Sequence, residues 1–298
     1  MVTIAVVGIG YWGKNLVRVF SKVAEVPVCV HQGSAANRAW LAEEYESVAV
    51  TTEYEDVLSD PAIDAVAIAT PIETHYRLAM RALKAGKDVY VEKPLAATMS
   101  EAKHLSEVAS KQGAILFVGY ILIHHPNMSP LRASAVDASP AWARFGWEKL
   151  GSFNEDLVLD IASHALAVAH DLFSTVPTRA TTHTRVGVMT DIDVLAAALA
   201  FDSGWFSIEV NRVSPQTQKY LQVGFENGNV YYWTEQTLYR LDRDATEFET
   251  VQHRETEPLF LECDRFVTAV KERVQPTTDG TFGYRVNEMA DMLVPLQS

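Results

Sequence analysis

Short apolar runs alternate with amphipathic stretches over the first 120 residues of the chain. Each apolar run is short and rich in β-branched residues, as in a buried strand, and each amphipathic stretch repeats its apolar positions at helical spacing. This order predicts a doubly wound α/β domain, in which helices cover both faces of a parallel sheet. Strands are predicted at Thr3–Val7, Val26–Val30, Ala65–Ala69, Val89–Val91 and Ile115–Val118, and helices at Trp12–Val23, Ala36–Tyr45, Ile72–Ala85 and Thr98–Lys111, the last with Ser100 as its cap.

The pattern changes after Tyr120. One long helix is predicted at Asp156–Phe173, and the segment between Pro126 and Asp156 is predicted to be short and irregular. Strands then follow one another, with Asn227-Gly228 as a strong hairpin signal. We therefore expect two domains, 1–120 and 121–298, the second an α+β domain with a large, mostly antiparallel open sheet. Its strands are predicted at Thr181–Val188, Val194–Asp202, Trp205–Val213, Leu221–Glu226 and Val230–Trp233, and its closing helices at Pro258–Glu272 and Gly283–Met292.

The composition narrows the classes of partner. The chain has 298 residues and a formal net charge of −13, so it would repel a phosphate backbone and we expect no nucleic-acid partner. The longest uncharged apolar run, Val194–Phe201, is far shorter than the roughly 20 residues of a membrane span, so we expect no membrane partner. Cys29 and Cys263 form no C-x-x-C pair and no cluster with histidines, so we expect no metal site. Since Met1–Lys14 resembles a first strand and turn more than a signal peptide, we expect a cytoplasmic protein.

The first predicted strand ends in a glycine-rich loop that opens a helix. A G-x-G-x-x-G loop in that position is typical of dinucleotide-binding domains, where the glycines allow a tight turn, a close approach to the pyrophosphate and close helix packing. The free N–H groups at the start of the helix then bind the phosphates. The loop reads Gly8-Ile9-Gly10-Tyr11-Trp12-Gly13.

The end of the second strand lacks the carboxylate that usually binds the ribose of NAD. His31, Gln32 and Ser34 stand there instead, and we expect them to hydrogen-bond the ribose hydroxyls. Arg38 could meet a 2′-phosphate, which would favour NADP, but an ordinary solvated position on a helix is the simpler interpretation. The residues at this strand end therefore allow either NAD or NADP.

Two further segments carry polar groups at strand ends of the first domain. Thr70-Pro71 with His75 follows the third predicted strand, and Glu92-Lys93-Pro94 follows the fourth. Ligands bind at the carboxyl ends of the strands in open α/β sheets. A lysine there can donate a hydrogen bond or take part in proton transfer, although a solvated Glu-Lys pair is the alternative.

These motifs together resemble the glucose–fructose oxidoreductase, inositol dehydrogenase and MocA family of oxidoreductases. The resemblance covers nearly the whole chain, and the Glu92-Lys93-Pro94 element is its most specific part. It implies an N-terminal Rossmann domain, a C-terminal domain with an open sheet, and a nicotinamide between them, with NAD favoured over NADP. It also implies an Asp-x-x-x-His element, present here as Asp160 and His164, which an α-helix would place on one face.

Within the family the chain looks closest to sugar-nucleotide dehydrogenases that oxidise the 3-hydroxyl of UDP-N-acetylhexosamines or their uronates. The resemblance rests on Gly10–Asn15, on Tyr120 through His125-Pro126, on Ser214-Pro215 with Lys219, and on the run from Glu257 to Gly283. Tyr120 is therefore expected at the substrate. A free-polyol or simple-sugar dehydrogenase and a non-catalytic NAD(P) sensor are the alternatives.

The mechanism that this resemblance implies is hydride transfer from a secondary hydroxyl carbon to nicotinamide. Lys93 and His164 are the candidates for taking the hydroxyl proton, with His164 preferred because histidine changes its charge near neutral pH. Asp160 would orient His164 or a sugar hydroxyl, and Glu92 would fix Lys93 and line the nicotinamide site. Residues expected to border the cofactor are Tyr11, Trp12, Thr70, Pro71 and His75.

The strands of the second domain carry more apolar side chains than one face of helices can cover. An exposed apolar face of that size usually marks association, and the family resemblance also implies sheet-to-sheet contacts. We therefore expect a homodimer or homotetramer. The side chains assigned to this face are Trp205, Ile208, Val210, Tyr220, Val223, Tyr231 and Trp233.

Overall fold

Six parallel strands form the sheet of the N-terminal part in the computed structural model, which describes residues 1–293. Their order is β3-β2-β1-β4-β5-β6, so the strand order reverses beside β1, and the predicted doubly wound α/β sheet is confirmed. The strands are β1 Ile4–Val7, β2 Val28–Val30, β3 Ala49–Thr51, β4 Ala65–Ile68, β5 Asp88–Glu92 and β6 Leu116–Gly119. The helices are α1 Tyr11–Val23, α2 Ala35–Glu44, α3 Tyr54–Ser59, α4 Ile72–Lys84 and α5 Met99–Gln112.

Two elements of this sheet escape sequence analysis, and one helix cap differs from the prediction. Strand β3 has three residues and buries none of them, and α3 has only six, so neither carries a long periodic pattern. Helix α5 is capped by Thr98, whose hydroxyl accepts a hydrogen bond from the Glu101 N–H at 3.3 Å, and not by Ser100. Sequence spacing alone did not separate these two hydroxyl residues.

Two helices close the chain, α8 at Pro258–Glu272 and α9 at Gly280–Leu293. Contacts group residues 259–287 with Met1–Ile121 in one unit, whereas the sequence analysis assigned the whole of 121–298 to the second domain. Helix α8 buries Cys263 and Phe266 in the core that surrounds β1 and β5. A helical pattern shows which face is apolar but not which sheet that face covers.

Among the described residues, the second unit contains 122–258 and 288–293, and eight strands form its sheet. Their order is β14-β13-β12-β11-β7-β10-β9-β8, and all neighbours are antiparallel except β7 and β10. The predicted mostly antiparallel sheet is therefore confirmed. The strands are β7 Pro140–Leu150, β8 Arg179–Val186, β9 Val194–Ala200, β10 Trp205–Asn211, β11 Val213–Phe225, β12 Val230–Thr234, β13 Thr237–Leu241 and β14 Glu249–His253.

The segment predicted to be short and irregular is ordered, so that prediction is wrong. It contains helix α6, Met128–Asp137, and most of β7, a strand at the centre of the sheet. Helix α6 buries only Met128 and Leu131, which gives it a weak apolar pattern. Strand β7 mixes glycine, tryptophan and charged residues on its two faces, so no clean alternation is visible in its sequence.

The predicted long helix at Asp156–Phe173 is divided. A π-helical turn spans Val158–Ala162, and α7 follows at Ser163–Phe173. The Asp156 carboxylate caps the start of this segment by accepting from the N–H groups of Val158 and Leu159.

The two faces of the second sheet differ from the predicted assignment. Ile208, Val210, Val223, Tyr231 and Trp233 are buried and do not belong to an exposed face. Period-2 alternation places other side chains on the opposite face, where Trp205 is 48% exposed. The large rings of this open face belong to Trp142, Trp205, Tyr220, Tyr232 and Tyr239.

Candidate functional site

The glycine loop of the first unit has two positions at which a side chain does not fit. Gly8 has a φ of +92°, and a Cβ atom there would lie 2.5 Å from the carbonyl oxygen of Ala69. At Gly13 a Cβ atom would lie 1.9 Å from the Gly8 carbonyl oxygen. Gly10 differs, because a Cβ atom there would meet no atom of residues 1–293 within 4 Å. Gly8 and Gly13 are therefore required by the fold itself, and Gly10 leaves open space.

The start of α1 offers its N–H groups without a competing side chain. Gly10 is the N-cap and supplies no side-chain cap, and the first turn contains no acidic residue. Free N–H groups and a positive helix end beside an open glycine fit a pyrophosphate. Of the residues predicted to border it, Tyr11 is 87% exposed.

The residues predicted to bind the ribose take different roles at the end of β2. The ring of His31 accepts a hydrogen bond at Nδ1 from the Ile9 N–H at 3.3 Å, which ties it to the glycine loop. Burial, aided by Arg38 and Lys14, lowers the pKa of His31, so the neutral ring that this contact needs is favoured. His31 Nε2 is buried and has no hydrogen-bond partner within residues 1–293, which suits it to a ligand hydroxyl.

Gln32 and Ser34 are engaged with the protein. Gln32 donates to the Thr52 carbonyl at 2.9 Å, and the Ser34 hydroxyl caps α2 by accepting from the Asn37 N–H at 3.3 Å. Arg38 turns back to the same loop and donates to the Gly33 carbonyl at 2.7 Å.

His75 holds the ends of two strands together. Its Nδ1 lies 2.9 Å from the Pro94 carbonyl oxygen and its Nε2 lies 2.8 Å from that of Thr70. The ring is buried, which lowers its pKa. Thr70 also contacts Thr74 through their hydroxyls at 2.6 Å. The neutral ring has one N–H, so His75 donates to one of these two carbonyl oxygens and only contacts the other.

Glu92 points into the protein. Its carboxylate accepts from the indole N–H of Trp12 and from the Tyr90 hydroxyl at 2.9 Å. Burial raises its pKa to about 7. The first contact joins the glycine loop directly to the Glu92-Lys93-Pro94 element, so these two motifs are parts of one arrangement. Sequence analysis did not identify the contributions of Tyr90 and of Trp12 through its N–H group.

Tyr120, predicted at the substrate, is fully buried in the first unit. Its ring centroid lies 5.7 Å from that of Phe282, and its hydroxyl has no hydrogen-bond partner in the described part of the chain. Burial raises its pKa above the usual tyrosine value.

In the second unit, Asp160 lies in the π-helical turn and His164 in the first turn of α7. Such turns are frequent at functional sites because they displace side chains from regular α-helical positions. His164 is 7% exposed, and its ring centroid lies 5.2 Å from that of Trp147 on β7.

Two lysine side chains also place their ammonium groups over the ring of Trp147. The ammonium of Lys219 lies 3.6 Å from the centre of its ring and that of Lys149 lies 5.2 Å away. Lys219 further pairs with Glu235 at 2.7 Å, and burial lowers the pKa of Lys219. We call Trp147, Lys149 and Lys219 the tryptophan cluster. Because Trp147 lies in the segment predicted to be irregular, no signal in the sequence identified it.

Arg212 has a structural role in the second unit. It forms a buried ion pair with Asp193 at 2.8 Å and donates to the Glu155 carbonyl at 2.6 Å, just before the π-helical turn. Burial raises the pKa of Asp193, but the N–H groups of Thr190 and its neighbours lower it more, so the carboxyl stays ionised.

Comparison with known proteins identifies the first unit. Residues 2–120 match the model of an oxidoreductase family with an NAD-binding Rossmann fold, the glucose–fructose oxidoreductase, inositol dehydrogenase and MocA family. The match assigns residues 2–120 to this family. The resemblance drawn from its motifs is confirmed, and the chain is an oxidoreductase of the NAD(P)-binding Rossmann type.

Relatives in this family cover both units. The chain is 27% identical over 304 residues to scyllo-inositol 2-dehydrogenase (NAD(+)) of Bacillus subtilis, covering 91% of the chain and 87% of that protein. It is 24% identical over 294 residues to UDP-N-acetylglucosamine 3-dehydrogenase of Acidithiobacillus ferrooxidans, covering 94% and 92%.

Solved structures show the same fold. The Acidithiobacillus ferrooxidans UDP-N-acetylglucosamine 3-dehydrogenase has a TM-score of 0.90 at 21% identity and covers 98% of the chain and 96% of its own. Levoglucosan dehydrogenase in complex with NADH and levoglucosan has a TM-score of 0.87 at 18% identity, with 98% and 96% covered. At these identities the likeness concerns the fold alone.

The lengths of the helices and the grouping of possible metal ligands are the last features of the described residues. None of the helices within residues 1–293 is long and apolar enough to cross a membrane. Over the same residues, no three side chains of His, Cys, Asp or Glu gather as metal ligands would.

Proposed function

We propose that the chain is an NAD-dependent dehydrogenase that oxidises a secondary hydroxyl of a UDP-N-acetylhexosamine-type sugar nucleotide. The observation that carries the proposal is the environment of His164. A candidate base lies beside an indole ring with two lysines, and this set offers both proton acceptance and attraction for an anionic sugar derivative. Conversion of UDP-N-acetylglucosamine by one of the relatives supports the same substrate class.

When bound, a nicotinamide cofactor would supply the hydride acceptor for the carbon that bears the hydroxyl group. His164 accepts the hydroxyl proton at a ring nitrogen, and Lys93 donates a hydrogen bond to a substrate oxygen. Asp160 orients His164 or a neighbouring sugar hydroxyl. Thus the protein orients the substrate and controls one proton.

The dinucleotide is proposed to bind at the glycine loop. The N–H groups at the start of α1 bind the pyrophosphate over Gly10, and His31 Nε2 hydrogen-bonds a ribose hydroxyl. NAD is preferred because the Arg38 guanidinium is already engaged by the Gly33 carbonyl. If NADP binds more tightly than NAD, and Arg38→Ala removes that preference, this choice is wrong.

A free polyol is the second candidate substrate, because a relative of nearly full coverage acts on scyllo-inositol. The two substrates differ in one respect that can be measured, since only the sugar nucleotide carries a diphosphate. UDP should therefore inhibit turnover of UDP-N-acetylglucosamine competitively. Turnover of scyllo-inositol without inhibition by UDP would favour the polyol dehydrogenase.

A redox sensor that binds NAD(P) without turnover remains the alternative outside the enzymes. Lys93, Asp160 and His164 argue against it, because a sensor needs no proton acceptor. Tight dinucleotide binding with no turnover of any sugar nucleotide or polyol would favour the sensor.

We also propose that two copies of the chain associate through the open face of the second sheet. Two rings of this face pack directly on the backbone of glycines. The Tyr220 ring covers Gly146 and the Trp142 ring covers Gly224, where any side chain would occupy the same space. Arg144 and Glu209 pair on the same face at 3.2 Å, so the face carries both charges and can complement a second copy of itself. A monomer in sedimentation at micromolar concentration would contradict this association, and Trp205→Glu should weaken it.

A further inference from the structure

A buried tyrosine hydroxyl lies between two carboxyl groups in the first unit. Tyr90 Oη is 2.9 Å from Glu92 Oε1 and 3.1 Å from Glu262 Oε2, and Glu262 on α8 is fully buried. The surroundings are apolar, with ring centroids 5.4–5.6 Å from that of Tyr90, and the rings belong to Phe20, Phe117 and Phe266. A charge in such a place is poorly solvated, so its hydrogen bonds decide whether it persists.

The number of protons in this group follows from its geometry. The Tyr90 hydroxyl has one proton, which can point at only one of the two carboxyls. The other contact is a hydrogen bond only if that carboxyl is protonated and donates to the tyrosine oxygen. Two ionised carboxyls at this distance would also repel each other. Once the pair has lost its first proton, it therefore holds one carboxylic acid and one carboxylate.

The donors show which carboxyl is which. Glu92 accepts from the Trp12 indole, from Tyr90 and from the backbone N–H of Lys93, and the Lys93 cation lies near it. Glu262 Oε1 has no hydrogen-bond partner within residues 1–293. The carboxylate therefore belongs to Glu92.

Few other titratable groups face this pair. Arg265 acts on Glu262 from the same helix, and Cys263 faces Tyr90. Burial, followed by the nearby Glu92, raises the pKa of Glu262 well above its usual value, in agreement with a neutral acid at that position.

We propose that Glu262 is a positioning residue that acts through Tyr90. As a carboxylic acid it donates to Tyr90 Oη, the hydroxyl donates to Glu92 Oε1, and the ionised form of Glu92 is thereby stabilised and fixed beside Lys93. The same carboxylate holds Trp12 at the start of the helix that follows the glycine loop. Glu262, Tyr90, Glu92 and Trp12 form a relay of hydrogen bonds that links α8 to the predicted catalytic lysine and to the predicted cofactor loop.

Gly119 on β6 leaves the space that this relay needs. A Cβ atom there would lie 2.5 Å from Tyr90 Oη and 3.1 Å from Glu92 Oε1. Any other residue would have to displace the hydroxyl, so the glycine is explained by the relay and not by its backbone angles.

The relay can be tested without any enzyme activity, because Trp12 reports the state of Glu92. The indole N–H resonance of Trp12 would be followed against pH in the protein labelled with ¹⁵N, and assigned with Trp12→Phe. It should titrate with a midpoint near 7, the pKa of Glu92. Tyr90→Phe removes a donor to the carboxylate and should raise this midpoint by about 1–2 pH units.

Two further variants complete the test. One shows which carboxyl group is protonated, and the other is the control. Glu262→Gln keeps a neutral group that can donate to Tyr90, so it should leave the midpoint unchanged. Tyr54→Phe removes another buried tyrosine hydroxyl bond, to the Leu78 carbonyl at 3.1 Å, and should also leave it unchanged. A fall of about one unit or more in Glu262→Gln would mean that Glu262 carries the charge, which would overturn the proposal. No shift in Tyr90→Phe would overturn it too.

Only the catalytic consequence rests on the proposed dehydrogenase function. If the chain is such an enzyme, the acid limb of its pH profile should move in Tyr90→Phe by the same amount as the Trp12 midpoint. A titration as described with no turnover in any variant would preserve the relay and reject the proposed function.

Discussion

The candidate site residues of the two units are built in different ways. In the first unit the backbone makes the site, through the turn at Gly8, the close packing at Gly13 and the N–H groups at the start of α1. In the second unit side chains make it, since His164 of α7 meets Trp147 of β7 and Trp147 meets Lys219 of β11. A backbone site fixes residue types at short spacing, whereas a side-chain site joins residues that are distant in sequence. We therefore expect the backbone site to bind a group common to many ligands, such as a pyrophosphate. We expect the side-chain site to determine which substrate is chosen.

The largest effects on activity are expected from the two candidate acid–base residues, one in each unit. Lys93→Ala and His164→Ala should each lower kcat by about 10²–10⁴-fold, the usual contribution of acid–base catalysis. Binding of NAD, measured by calorimetry, should stay close to that of the unmodified chain in His164→Ala, because that residue belongs to the side-chain site. Unchanged kcat in both variants would reject their assignment.

The Gly10→Ala variant should affect the binding of NAD without affecting the stability of the fold. The fold leaves open space there, so Gly10→Ala should keep the melting temperature and lose NAD affinity at least about tenfold, because the methyl group occupies the place of the pyrophosphate. Gly86→Ala is the matched control. It forces alanine into a φ of +76° outside the glycine loop, so it should lower the melting temperature and leave NAD affinity intact. Equal NAD affinity in Gly10→Ala would place the dinucleotide elsewhere.

The tryptophan cluster should affect substrate choice more than turnover. Lys219→Met removes the cation over Trp147, and a cation–π contact of about 0.5–2 kcal/mol corresponds to a roughly 2- to 30-fold rise in KM. The rise is expected for UDP-N-acetylglucosamine and not for an uncharged polyol. Arg81→Met removes a cation 5.1 Å from the Tyr54 ring in the first unit and should leave both KM values unchanged. A rise for both substrates alike would reduce Lys219 to a structural role.

The smallest effect concerns the pH dependence of stability. The pKa of Glu92 is about 7 in the folded chain and near 4.5 when unfolded, so the folded state binds more protons between these values. The free energy of unfolding should therefore fall as pH rises from 4.5 to 7. Glu92→Gln removes this term, and its stability should depend less on pH over that window, measured by thermal unfolding. An unaltered slope would place the titration on another group.

The difference between the two units also explains which features could be predicted from the sequence. The parallel sheet and the glycine loop follow from local periodicity and fixed spacing, and both could be predicted. Asp160 and His164 came from family resemblance, since no local pattern marks them. Trp147 was missed because β7 mixes charged, small and aromatic residues. Glu262 lies in the run that carries the family resemblance, but its contact with Tyr90 was missed because the two residues are 172 positions apart. Physical contacts of this kind arise only when strands and helices are packed.

The central claim is that the two sets of residues serve one dehydrogenation, and the most direct test is the formation of reduced nicotinamide. The chain would be mixed with NAD and UDP-N-acetylglucosamine or scyllo-inositol, and the absorbance of NADH would be followed, with His164→Ala alongside. The account predicts NADH from the sugar nucleotide, inhibition of that reaction by UDP, and loss of turnover in His164→Ala. Binding of NAD without NADH from either substrate, or equal turnover in His164→Ala, would contradict it.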